Sequence, residues 1–164
     1  AVLLARAGAH SVKLEGAGWV CEVLAILKRH EIPVCAHLGL TPQSVHRFGG
    51  YRVQGRDDAT AERLKSDARA VQDAGADMVV LECVPAALAG EITRALRIPT
   101  IGIGAGADCD GQILVIHDLL GITPGKRPRF SKDFLAGTHS VVAAIADYAR
   151  AVRSREFPAA EHSY

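Results

Sequence analysis

The chain has 164 residues, 49% hydrophobic and 23% charged, with sixteen glycines and seven prolines. That length and apolar fraction suit one folded domain and exclude disorder, collagen and coiled coil. Nineteen Lys and Arg against eighteen Asp and Glu leave a net charge of +1, with no basic footprint for nucleic acid. No apolar run reaches the ~20 residues of a membrane span, so the chain reads as soluble.

Residues 1–9 (AVLLARAGA) read as the last turns of an apolar helix stopped at Gly8. With no initiating methionine, the expectation is that further residues precede them. A short β-rich run ending in Glu15 follows, then a helix over 19–30 with apolar Val20, Val23, Leu24 and Leu27 at a 3.6-residue period. Ile32-Pro33 opens a second strand that ends near His37, the proline standing where a strand tolerates one. Residues 41–56 form a long, polar, glycine-bearing loop, with a short helix expected after Thr41-Pro42. A helix over 58–74, an apolar strand over 78–81 ending at Glu82, and a helix over 85–96 with Pro85 in its first turn come next. Ile98-Pro99 opens a fourth strand, a glycine-rich stretch follows, and a fifth strand is expected over 112–117. The basic cluster Lys126, Arg127, Arg129 and Lys132 reads as a solvated loop before a last helix over 140–152.

An internal repeat organises these elements. Ala7-Gly8-Ala9 through Glu15 returns 67 positions later as Ala74-Gly75-Ala76 through Glu82, each copy followed by a helix and an Ile-Pro strand. Strands alternating with helices imply parallel β-α-β units with right-handed crossovers. Two architectures satisfy this: a doubly wound open sheet, or part of a (β/α)8 barrel of ~250 residues. At ~30 residues per unit, about three units would be lacking upstream. The five-strand count and the abrupt start favour a single domain over 1–164 that is the barrel from its fourth strand onward. Cys21, Cys35, Cys83 and Cys109 show no C-x-x-C pairing and read as buried free thiols of a reducing compartment, hence a cytoplasmic protein.

The chemistry of parallel α/β folds sits at the carboxyl ends of the strands. Lys13 and Glu15, two apart, point to one face, and in a barrel that face is the mouth. Glu82 ends a strand buried on both sides, where a partly desolvated carboxylate suits a general base. It can also be read as a helix-capping residue. His37 is open between a hydrogen-bonded core residue and a ligand. Residues 102–107 satisfy G-x-G-x-x-G/A, yet Asp108-Cys109-Asp110-Gly111 follows as a turn where a dinucleotide fingerprint needs a helix.

Several segments together resemble the ketopantoate hydroxymethyltransferase family over essentially the whole chain. They are Val12-Lys13-Leu14-Glu15-Gly16, His37-Leu38-Gly39-Leu40-Thr41-Pro42-Gln43-Ser44, Gly49-Gly50-Tyr51-Arg52-Val53-Gln54-Gly55-Arg56, Leu81-Glu82, Gly102 to Gly106 with Asp110-Gly111-Gln112, and Glu161-His162-Ser163. The resemblance implies a (β/α)8 barrel of the phosphoenolpyruvate/pyruvate type. It implies hydroxymethyl transfer from 5,10-methylenetetrahydrofolate to 3-methyl-2-oxobutanoate through a magnesium-stabilised enolate. Position by position, it makes Lys13 the keto-acid-binding lysine, Glu15 a Mg²⁺ ligand and Glu82 the general base. It also implies a homo-oligomer. Ala17 replaces a common glycine and His46 a frequent asparagine. The family's two aspartate ligands and a substrate-binding serine belong to strands this chain does not contain. Two other readings stand beside this one: a catalytically silent half-barrel or assembly module, and a dinucleotide-dependent oxidoreductase built on 102–107.

Overall fold

Glycines that stop helices and prolines that admit strands divide this chain into its units. In the computed structural model, which describes residues 1–44, 52–138 and 140–164, α1 (Val2–Arg6) ends just before Gly8 at φ +98°. The strand β1 (Val12–Glu15) follows, then α2 (Trp19–Arg29) and β2 (Val34–Gly39). The second copy of the repeat gives α3 (Asp58–Ala74), closed by Gly75 at φ +108°, then β3 (Met78–Glu82), α4 (Ala86–Ala95) and β4 (Thr100–Ile103). Such angles cost an L side chain roughly 1–2 kcal/mol, so glycine is the natural stop. Pro33 and Pro99 stand immediately before β2 and β4 and need no N–H there. Their carbonyls accept hydrogen bonds from the Val12 and Val79 amides at 3.0 Å, the first rungs of each ladder.

All strand pairings are parallel, and the sheet runs β1-β2-β3-β4 in chain order, with the short β5 (Gly111–Gln112) beside β4. Val34, Ala36, Leu38, Val79 and Leu81 face the helices and pack with Val20, Leu24 and Leu27 of α2, Ala68 and Val71 of α3, and Ala89 and Ile92 of α4. Alternation then sends Lys13, Glu15, Cys35, His37, Val80, Glu82, Ile101 and Ile103 to the opposite face. Register stacks these in layers: Glu15 lies opposite His37, His37 opposite Val80, and Gly39 opposite Glu82. A doubly wound sheet reverses its strand order and carries helices on both faces. A sequential order, helices on one face and layered side chains on the other are the (β/α)8 barrel's own pattern; the order holds here over five strands, and the helix layer of α2, α3 and α4 over the first four.

Two expectations are corrected. The fifth strand does not extend over 112–117. After Gln112, the Ile113 amide still donates to Gly102 at 3.0 Å, but the chain then leaves the sheet and coils into α5 (Ile116–Leu119). Leu119 there packs with Phe134, Ala144, Ala151 and Phe157 under α6 (Val141–Arg153), and Asp118 is buried, accepting from the Thr123 hydroxyl. Pro85 is the extended cap of α4 (φ −53°, ψ 135°) rather than part of its first turn. Ser140 caps α6, accepting from the Ala143 amide at 3.1 Å.

Candidate active site

The polar residues of the inner face converge on one imidazole. β1 ends in Lys13 and Glu15, whose Nζ and Oε1 lie 3.3 Å apart. β2 runs between β1 and β3 and carries His37, only 4% exposed. The His37 Nδ1 is 3.1 Å from Lys13 Nζ and 3.9 Å from Glu15 Oε1, while its Nε2 is 3.1 Å from Glu82 Oε2. One buried ring therefore spans the distance from the Lys13–Glu15 pair to Glu82. The turn after β2, a single 3₁₀ turn over Pro42–Ser44, donates the Gln43 amide to Glu15 Oε2 at 3.2 Å. The short helix expected after Thr41 is this turn, and it orients a carboxylate.

Close approach of β2 and β3 at their carboxyl ends depends on Gly39. It sits at φ +86°, and a Cβ there would lie 2.3 Å from the Glu82 carbonyl oxygen. Immediately after it, the Leu40 amide donates to that same carbonyl at 2.8 Å. The backbone carrying Glu82 is thus pinned by a contact that a side chain at position 39 would block.

Lys13, Glu15 and Glu82, three residues separated by up to 69 positions, are brought together at one end of the sheet. His37, left open in the sequence, joins them. Its signal was its parity with Cys35 and Gly39 on β2, which needs the register between strands to become meaningful. In the 41–56 loop, residues 45–51 lie outside the described residues, and with them His46 and the Gly49-Gly50-Tyr51 part of the motif. The returning end docks at the site's edge, where the Gln54 amide donates to the Cys83 carbonyl at 2.8 Å.

The 102–107 glycines answer to packing. Added Cβ atoms would meet Cys109 Sγ and Gln112 at 3.0 Å from Gly102, the Phe130 ring at 2.6 Å from Gly104, and Ala86 at 2.5 Å from Gly106. A turn and the two-residue β5 follow, so no helix N-terminus is offered to a pyrophosphate there. Asp110 is structural: its carboxylate accepts from the Thr100 amide at 2.8 Å and fixes the start of β4.

Burial pushes the Cys83 thiol up to about 12, with the Glu82 charge acting in the same direction. Burial also raises Cys35, against an opposing pull from Lys13. Both thiols stay protonated near neutrality and so are poor nucleophiles. The four cysteines are free, as expected, although Cys21 and Cys35 are half-buried rather than fully enclosed. Among the described residues no group of three or more His, Cys, Asp or Glu side chains could hold a metal ion. Glu15, a hard oxygen donor 19% exposed beside the mouth, is suited to be one ligand of an oxygen-seeking cation and cannot be the whole set.

Ionisable side chains converging at the carboxyl ends of sequential parallel strands are how (β/α)8-barrel enzymes build their sites. The chain belongs to the ketopantoate hydroxymethyltransferase family, whose profile matches residues 1–160. It is 58% identical over all 164 residues to 3-methyl-2-oxobutanoate hydroxymethyltransferase 1 of Burkholderia cenocepacia (strain HI2424), covering 60% of that protein. It is 59% identical to the protein of the same name in Burkholderia ambifaria and to 3-methyl-2-oxobutanoate hydroxymethyltransferase of Burkholderia mallei (strain SAVP1), again covering 60% of each. The chain spans about 60% of the length of these relatives.

Proposed function

We propose that the protein carrying this chain transfers a hydroxymethyl group from 5,10-methylenetetrahydrofolate to 3-methyl-2-oxobutanoate, giving 2-dehydropantoate for pantothenate biosynthesis. The observation that supports this most is the meeting of Lys13, Glu15 and Glu82 around His37 on the inner face. In this reading Lys13 binds the keto acid's carboxylate through its ammonium, a point charge 47% exposed and able to reach into the mouth. Glu82 removes the proton from C3 of the keto acid. Its carboxylate is 14% exposed, so little water competes for it. C3 then forms its new bond to the methylene carbon of the folate. Both C–N bonds of that carbon break, water supplies the hydroxyl, and the proton taken by Glu82 and one from the water go to the two folate nitrogens, so that tetrahydrofolate leaves.

Glu15 contributes one carboxylate to Mg²⁺, the remaining ligands coming from water, substrate or residues beyond those described. When bound, the ion supplies Lewis-acid polarisation of the keto oxygen, which acidifies the adjacent C–H. We also propose a cytoplasmic homo-oligomer. The free thiols suit a reducing compartment, and exposed apolar side chains on α1 (Val2, Leu3 and Leu4) suit burial against another surface. No described helix is long and apolar enough to cross a membrane.

The test is a chimera joining this chain to the portion of the Burkholderia cenocepacia relative that the match leaves uncovered. Folate-dependent formation of 2-dehydropantoate, followed by mass spectrometry, is expected. A folded chimera that forms none would overturn the reading.

A further inference from the structure

We propose that His37 is the positioning residue for Glu82: fixed at Nδ1 by Lys13, its ring presents an Nε2–H to one oxygen of the Glu82 carboxylate. The other oxygen is left to take the substrate proton, so the inference rests on the function proposed above. A lysine ammonium has three donors and no acceptor, so a contact of 3.1 Å from Lys13 Nζ requires a lone pair on His37 Nδ1. The ring's proton then sits on Nε2. That nitrogen is buried and has no aligned hydrogen-bond partner among the described residues.

A buried N–H is costly to leave unpaired. An acceptor, Glu82 Oε2, lies 3.1 Å away, within hydrogen-bond length but off the N–H direction. A turn of the carboxylate about its last torsion brings the two into line, and catalytic hydrogen bonds commonly tighten in this way when substrate binds. Glu15 does not compete. Its Oε1 is 3.9 Å from Nδ1, on the lone-pair side of the ring, where two acceptors face each other. The ring itself has little freedom, because β2 is held in register by β1 and β3 on both sides and His37 is 4% exposed.

Two measurements decide the matter. In the 164-residue chain, ¹⁵N shifts of the His37 ring should report protonated Nε2 and bare Nδ1; the opposite tautomer, or a ring protonated at both nitrogens, overturns the proposal. In the chimera, His37→Gln places an amide N–H near the position of Nε2, whereas His37→Asn reaches only the position of Nδ1. His37→Asn should lower kcat about 10²-fold, the cost of a misplaced catalytic group, with the keto-acid KM little changed. His37→Gln should recover most of that loss. Equal losses in the two folded variants, or a loss confined to KM, would refute a positioning role. An inactive unsubstituted chimera would count against the proposed function instead, and the tautomer would still decide the assignment of His37.

Discussion

Replacing Glu82 by Gln keeps the shape of the side chain and removes its capacity to accept a proton. In the chimera, exchange of the C3 hydrogen of 3-methyl-2-oxobutanoate with deuterated water, followed by NMR, should slow by roughly 10² to 10⁴. Exchange at the unsubstituted rate would remove Glu82 from the role of base. Lys13→Ala should behave differently, because its ammonium is assigned to the keto acid's carboxylate. The keto-acid KM should rise steeply while folate affinity, read by titration, stays within a few-fold; equal weakening of both ligands would contradict the assignment. Both residues are legible in the amino-acid sequence. Lys13 and Glu15 share a strand face by two-residue alternation, and Glu82 recurs at the position of Glu15 in the repeat. His37 is not legible in the same way. Its meaning lies in contacts to residues 24 positions earlier and 45 positions later, and those depend on β2 lying between β1 and β3 in one particular register.

At the scale of elements, the repeat announces the strands and helices because many boundaries have a local chemical cause: a left-handed glycine such as Gly16, Gly39 or Gly75, a proline such as Pro33 or Pro99, or a capping side chain such as Asp57 or Ser140. The end of the sheet has no such cause. Ile113-Leu114-Val115-Ile116 is an apolar run with three β-branched residues that favours a strand, and what ends it in α5 is remote. Leu119 packs against Phe134 and Phe157, and Phe134 and Phe157 meet edge-on with centroids 5.3 Å apart. That same cluster reaches the C-terminal segment, where His162 touches Phe157 and its Nδ1 accepts from the Ala159 amide at 3.2 Å. Burial lowers the His162 pKa below its ordinary value, Lys132 adds to the effect and Glu161 opposes it. The folded state therefore binds fewer protons than the unfolded state just below the unfolded value of about 6.5, so stability falls as pH drops through that value. Protonation also turns Nδ1 from acceptor into donor, which breaks the bond to Ala159. Hydrogen exchange of the Ala159 amide, corrected for intrinsic chemistry, should accelerate between about pH 7 and pH 5. Protection unchanged across that window would show that His162 does not anchor the segment.

For the whole molecule, the decisive fact is how much of a barrel's inner surface these residues build. Lys13 and Met78 face inward yet are 47% exposed at the Lys13 side chain and 37% exposed at Met78. Among the described residues, β1 and β5 each have a strand partner on one side alone. Unpaired parallel edges and uncovered apolar side chains such as Leu3, Val115 and Ile116 favour association over a monodisperse monomer. Magnesium prefers an octahedron of oxygens, and Glu15 is the one carboxylate here assigned to it. The 164-residue chain alone should therefore bind Mg²⁺ weakly, scatter light as a dimer or larger species, and form no 2-dehydropantoate even at millimolar Mg²⁺. Supplying the uncovered portion of a Burkholderia relative in trans should restore product formation by completing the ligand set and pairing the open edges. These outcomes also separate the enzyme from a catalytically silent half-barrel, which would stay inactive after the addition. Turnover by the purified chain without that portion would refute the assignment of Glu15 as one ligand of a shared set, because these residues would then hold the ion unaided.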